Sequence, residues 1–266
     1  MRTFILAAAL FLAAIPTAAQ VPDTVFIEEL TWTEVRDAIK AGKTTVILPT
    51  GGTEQNGPHM VLGKHNFIIR HTADQIARRL GNTLVAPVVA YVPEGNLEPP
   101  SGHMRYPGAI TLPNEYYMKL LEYAARSFKV NGFKDIVFIG DSGGNQDGMK
   151  QVAEMLNKEW TGSGVRIHFV PEYYSGTGFS EWLIAQGEKK EDIGSHAGIT
   201  DTSQLLAVDP RYIRKDKLAD RGGFEGSGVS GNPAKANVAY GKKGLELKIE
   251  TTVKRVKEMM AASTTR

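Results

Sequence analysis

The chain has 266 residues, 42% of them hydrophobic, with 31 Lys and Arg against 29 Asp and Glu, 28 glycines and no cysteine. That balance excludes a disordered, fibrous or disulfide-stapled protein. A formal net charge of +2, with both signs mixed along the length, offers no field to gather nucleic acid or anionic lipid, and any metal must be held without thiolates.

Arg2 precedes an apolar run from Phe4 to Ile15, and Pro16, Thr17, Ala18 and Ala19 follow with the small residues a signal peptidase accepts. The run is shorter than the roughly 20 residues that span a bilayer. A buried N-terminal helix is the competing reading, but the basic flank and the Thr-Ala-Ala end point to export. The pattern predicts a signal peptide over residues 1–19, cleaved after Ala19, and one α/β domain over 20–266. The mature protein is then periplasmic or secreted, with no membrane anchor after cleavage.

A β-branched run at 44–49 (TTVILP) leads into a glycine-rich loop, and 67–80 has apolar residues at helical spacing with Gly81 as its stop. The alternation continues with a strand at 83–89, a helix near 114–130, a strand at 135–139, a helix near 147–160 and a strand at 165–170. This order predicts a mainly parallel sheet covered by helices on both faces. Sites in such sheets lie outside the carboxyl ends of the strands, so the loops at 50–66 and 140–146 matter most. Two further stretches, 93–113 and 222–244, read as long irregular loops of functional interest.

Three polar clusters stand out. The loop at 50–66 holds Glu54, Gln55, Asn56, His59, Lys64 and His65, at a spacing that matches no helical zinc motif. The turn Gly140-Asp141-Ser142-Gly143-Gly144-Asn145 follows an apolar strand and opens a helix whose free N–H groups can hold an oxyanion; a tight turn with a helix cap is the plain alternative. The third, 194–206, brings His196 and Asp201 to a helix start, where His196 is either a structural histidine or a proton carrier.

Together these clusters resemble the creatininase (creatinine amidohydrolase) family. The resemblance runs through Gly52-Thr53-Glu54-Gln55-Asn56-Gly57-Pro58-His59 to His65, through His103-Met104-Arg105-Tyr106-Pro107-Gly108, the 140–145 turn, His196-Ala197-Gly198 with Asp201-Thr202-Ser203, and Gly231-Asn232-Pro233. It implies a three-layer α/β/α sandwich with a mainly parallel central sheet, a homo-oligomer (commonly a hexamer), and hydrolysis of an unreactive amide at a two-metal centre. The family's ligand pattern is altered here: Asn56 stands where a histidine is usual, His65 replaces a bridging aspartate, Ser142 a histidine, and Asp201 a glutamate.

Two readings follow. In the first, an exported, metal-dependent, amidohydrolase-like enzyme cleaves a C–N bond in a small molecule. Glu54, His65 and Asp141, with Asp201 as a further carboxylate, hold one or two divalent ions (zinc or manganese). His196 carries a proton, assisted by His59, and Gly143, Gly144, Asn145 and His103 face substrate or oxyanion. In the second, a non-catalytic periplasmic binding or scaffold protein keeps the fold without the metal, and its pocket retains His59, His103 and His196.

Overall fold

The chain enters the fold through a capping box. The Thr31 hydroxyl accepts from the Glu34 N–H while the Glu34 carboxylate accepts from the Thr31 N–H, and this starts α1 (Trp32–Lys40). The computed structural model describes residues 22–218 and 224–264, so the expected signal peptide over residues 1–19 lies outside the described residues. After α1 come β1 (Thr45–Thr50), α2 (Lys64–Leu80), β2 (Thr83–Val85), α3 (Asn114–Asn131), β3 (Asp135–Gly140), α4 (Gln146–Glu159) and β4 (Arg166–Phe169).

The four strands lie in the order β2-β1-β3-β4, and every pair is parallel. Side chains alternate across the sheet. Val46, Leu48, Ile136 and Phe138 pack on one face against Leu121 of α3 and Leu156 of α4. Ile47, Val137 and Ile139 pack on the other against Ile69 and Ile76 of α2 and the C-terminal helix. Burial on both faces explains why the strands read as continuous apolar runs, and the result is the expected three-layer α/β/α sandwich.

Two boundaries differ from expectation for local reasons. The strand at 83–89 ends at Val85, because Pro87 has no N–H for the ladder, and pairing resumes only as a bridge between Thr50 and Val89. Helix α2 begins at Lys64 rather than Phe67: Lys64 and His65 occupy buried positions of its first turn, where an apolar period cannot register them.

The second half adds α5 (Phe179–Ala185), α6 (Lys190–Ile193), α7 (Ile199–Val208), α8 (Phe224–Ser227) and α9 (Val238–Thr264). Helix α9 corrects the reading of 222–244 as irregular throughout. It passes through Gly241 and Gly244, where a Cβ would stand 1.8 Å from the Ser203 carbonyl oxygen and 2.4 Å from the Phe179 ring. These glycines cost helix propensity but let α9 lie against α7 and α5. The closeness carries the middle of α9 to the carboxyl ends of β1 and β3, where Thr50 and Gly140 are paired.

Candidate active site

Beyond Thr50 the chain turns into a loop that is tied down by amides. The Asn56 Nδ2 group donates to the carbonyls of Glu54 at 2.9 Å and Val61 at 3.2 Å, and the Gly52 N–H donates to Asn66 Oδ1 at 3.0 Å. Asn145, just past β3, sends Nδ2 to the Thr50 carbonyl at 3.0 Å and the Gly51 carbonyl at 2.8 Å. These buried ties hold the two strand ends in one arrangement and aim the Glu54 side chain into a cleft of about 860 Å³.

The floor of the cleft is a chain of ion pairs. Glu54, only 2% exposed, receives His65 Nε2 at 2.8 Å and Lys64 Nζ at 3.3 Å. His65 Nδ1 lies 2.7 Å from Asp141 Oδ2, and the other Asp141 oxygen accepts from Lys248 Nζ on α9. Lys64, 1% exposed, also reaches Asp201 Oδ2 at 3.1 Å, and that oxygen accepts the Ala197 N–H. Five segments of the chain thus meet through opposite charges.

Burial alone would raise the carboxyl of Glu54, but the charges of His65 and Lys64 hold it well below the ordinary range. Burial would likewise raise Asp141, which Lys248 and the His65 hydrogen bond bring down, and Asp201, which Lys64 and His196 bring down. Burial and the Lys64 charge oppose protonation of His65, yet Glu54 and the Asp141 hydrogen bond outweigh them and raise it to about 9. The geometry agrees: carboxylates only accept, so a ring with both nitrogens on carboxylate oxygens must donate from both.

Above this floor stand two imidazoles of the opposite character. His103 Nε2 is 3.2 Å from Glu54 Oε2 and His196 Nδ1 is 3.6 Å from Glu54 Oε1. Burial and the Lys64 charge push His196 down to about 4, and burial lowers His103, so both rings are neutral at neutral pH. His196 Nε2 lies 2.9 Å from the Gln55 carbonyl oxygen, which fixes the hydrogen on Nε2 and turns the Nδ1 lone pair to Glu54. Glu94, buried in the same wall, is pushed up to about 9 by burial and by the negative charge of Glu54, so it keeps its proton.

A family model for creatininase, described as creatinine amidohydrolase, matches residues 28–256. The chain belongs to the creatininase family. It is 24% identical over 202 residues to the creatinine amidohydrolase of Pseudomonas putida, covering 74% of this chain and 76% of that protein. It is 28% identical over 179 residues to the mycofactocin precursor peptide peptidase of Mycolicibacterium smegmatis, covering 65% of this chain and 61% of that one. A mutant creatininase of Zn-Zn type superposes with a TM-score of 0.74 at 21% identity, over 90% of this chain and 99% of that one. A manganese creatininase structure also gives 0.74 at 21% identity, over 89% and 98%. The relatives are hydrolases by name, and the structures share the fold.

Creatininase structures are thus described with zinc or manganese, and two sets of donors in this chain can be weighed against such an ion. Glu54, His65 and Asp141 do converge, as the sequence suggested, but on one another: both nitrogens of His65 and both oxygens of Asp141 are spent within the network, and Asp201 is engaged by Lys64. This set does not fit a metal, because an ion there would have to displace an ammonium or an imidazolium. Glu54, His103 and His196 form the second set, with one donor atom from each lying within 4.8 Å of the others. Two neutral imidazoles and one carboxylate fit a catalytic ion that takes three protein ligands.

The other expected residues fall on both sides of the cleft wall. Gly143 and Gly144 line the cleft, and a Cβ on Gly144 would stand 2.3 Å from the Pro93 carbonyl oxygen, so only glycine lets the 93–113 segment close over the turn. Asn145 does not face substrate space; its amide clamps the strand ends. His59 is fully buried against Thr202 outside the cleft lining, which removes it from contact with a bound molecule. Lys64, Lys248 and Glu94 also belong to the site, although no motif in the sequence marks them. Lys248 carried a readable signal: it falls in the α9 stripe Leu245, Ile249, Thr252 and Val256, a lysine on the buried side of a helix.

Proposed function

We propose that this chain is an exported hydrolase that opens an amide or related C–N bond in a small polar molecule, using one divalent ion held by Glu54, His103 and His196. The observation that carries the reading is the approach of two imidazoles to a single buried carboxylate inside a cleft large enough for a small molecule. A zinc or manganese ion in that position supplies a Lewis acid for the substrate carbonyl. Membership of a family whose named relatives are hydrolases supports the reaction class, and the first twenty residues support export.

The chain's own groups support the rest. Gly143 and Gly144 stand in the first turn after β3, outside its hydrogen-bond ladder, so their N–H groups are available to a developing oxyanion. Glu94 brings a protonated carboxyl to the cleft wall, where it can pass its proton to a departing nitrogen. The Gln55 carbonyl keeps His196 in one tautomer.

A second reading, a binding protein without turnover, is favoured by one observation: the carboxylates of the floor are already neutralised by protein cations. A panel of lactams, cyclic ureas, creatinine and short peptides, assayed with zinc or manganese and again after chelation, separates the two. Metal-dependent turnover of any member, lost in Glu54→Gln, supports the hydrolase. Thermal stabilisation by a panel member with no product formed, with either metal, overturns it in favour of binding.

A further inference from the structure

The arrangement of the cleft floor has a meaning apart from which bond is cut. A creatininase structure of Zn-Zn type shares this fold, and the family resemblance implies a two-metal centre. In this chain the positions that the family resemblance marks as ligands read Asn56, His65 and Ser142. Asn56 is turned away into the backbone of its own loop. What the carboxylates meet instead are cations of the chain itself. Lys64 Nζ bridges Glu54 at 3.3 Å and Asp201 at 3.1 Å, joining the β1 loop to α7. Lys248 Nζ, from α9, pairs with Asp141 at the end of β3, and its ammonium also lies 4.6 Å above the Tyr173 ring. His65 joins Glu54 to Asp141 through both nitrogens.

We infer that Lys64 and Lys248, with His65 between them, take the place of one of the two metal ions, so that the centre accepts at most one divalent cation per chain. Three features carry this. The lysines are 1% and 8% exposed, and a lysine is almost never buried this deeply unless paired. Lys64 bridges carboxylates from two other segments, as a bridging ion would, and Lys248 caps the Asp141 carboxylate from a third. The floor carboxylates are already engaged by the two ammonium groups: Lys64 holds Glu54 and Asp201, and Lys248 holds Asp141. Glu54, His103 and His196 still offer one donor atom each within 4.8 Å of the others, and so leave a place for one ion.

The substitution predicts a gain when a cation is removed. Lys64→Ala leaves Glu54 and Asp201 facing one another with space between them, and Lys248→Ala leaves Asp141 without its ammonium. The test is metal content per chain, by elemental analysis after dialysis of the full-length protein against zinc or manganese, with thermal unfolding in chelator and in metal. The wild type is expected to hold no more than one ion. Lys64→Ala is expected to be less stable in chelator, to take up one ion more than the wild type, and to recover stability on adding zinc. If that variant folds only with zinc present, refolding yield with and without the metal gives the same answer, and Lys248→Ala is scored in parallel. Two ions on the wild type overturn the inference, as do folded lysine variants that bind no more metal than the wild type and are not rescued by it. A wild type with no ion at all keeps this inference and overturns the single-ion hydrolase instead.

Discussion

His59 gives the protein a sensitivity to acid whose size follows from its surroundings. The ring is fully buried, and its Nε2 lies 3.0 Å from the Thr202 hydroxyl. That hydroxyl donates to the Ala197 carbonyl at 3.1 Å, so it accepts from Nε2–H and leaves the lone pair on Nδ1, which has no partner. A second proton would sit on a buried Nδ1 with nothing to accept it. Burial accordingly moves the ring from 6.5 down to about 4. Between those values the unfolded chain binds the proton and the folded chain does not, so stability falls as the pH falls. The contribution is complete above about pH 6.5 and gone below about pH 4, and amounts to about 3 kcal/mol. Urea unfolding of wild type and His59→Leu at several values from pH 7.5 to pH 4 isolates it. The variant should be less stable at neutral pH by about 1 kcal/mol, for the lost Thr202 bond, yet should lose about 3 kcal/mol less than the wild type on acidification. Parallel acid limbs in the two proteins would refute the reasoning.

Asn145→Ala removes the amide shared by Thr50 and Gly51, takes from the Gly51 carbonyl the partner that holds it while Thr50 keeps the Asp141 N–H, and should cost about 2 kcal/mol in urea unfolding; a cost within error of zero rejects the clamp. Gly241→Val drives a side chain into the Ser203 carbonyl oxygen, and should cost about 2 kcal/mol or more while weakening protection of the α9 amides from hydrogen exchange. An unchanged unfolding midpoint would mean that α9 does not pack as described. Expressed with its own leader in a Gram-negative host, the protein should fractionate with the periplasm and begin at Gln20 on N-terminal sequencing; a cytoplasmic protein that keeps residues 1–19 contradicts export.

What the sequence disclosed, and what it hid, divides by the range of the interactions. The strands at 44–49 and 135–139 were legible because burial on both faces writes itself into consecutive residues, and with them the loops that carry Glu54 and Asp141. The meeting of Glu54, His65 and Asp141 was legible through strand-end topology and motif order. What they meet around was not, since a cation and an imidazolium bridge call for the same residue types and differ only in distances. Lys248 stayed hidden because Gly241 and Gly244 read as loop residues, whereas their lack of a side chain is what brings α9 close. Glu94 lies in a segment with no period at all. His59 shares a loop and a residue type with the site, and only the fold shows that its ring turns inward to Thr202.

The central claim, one ion on Glu54, His103 and His196, is tested most directly by zinc-edge X-ray absorption of the loaded protein, wild type beside His103→Ala. The account predicts two imidazole ligands around the zinc of the wild type, and loss of bound zinc, or a single imidazole, in the variant. A wild-type spectrum with one imidazole, unchanged by His103→Ala, would remove His103 from the ligand set and contradict it.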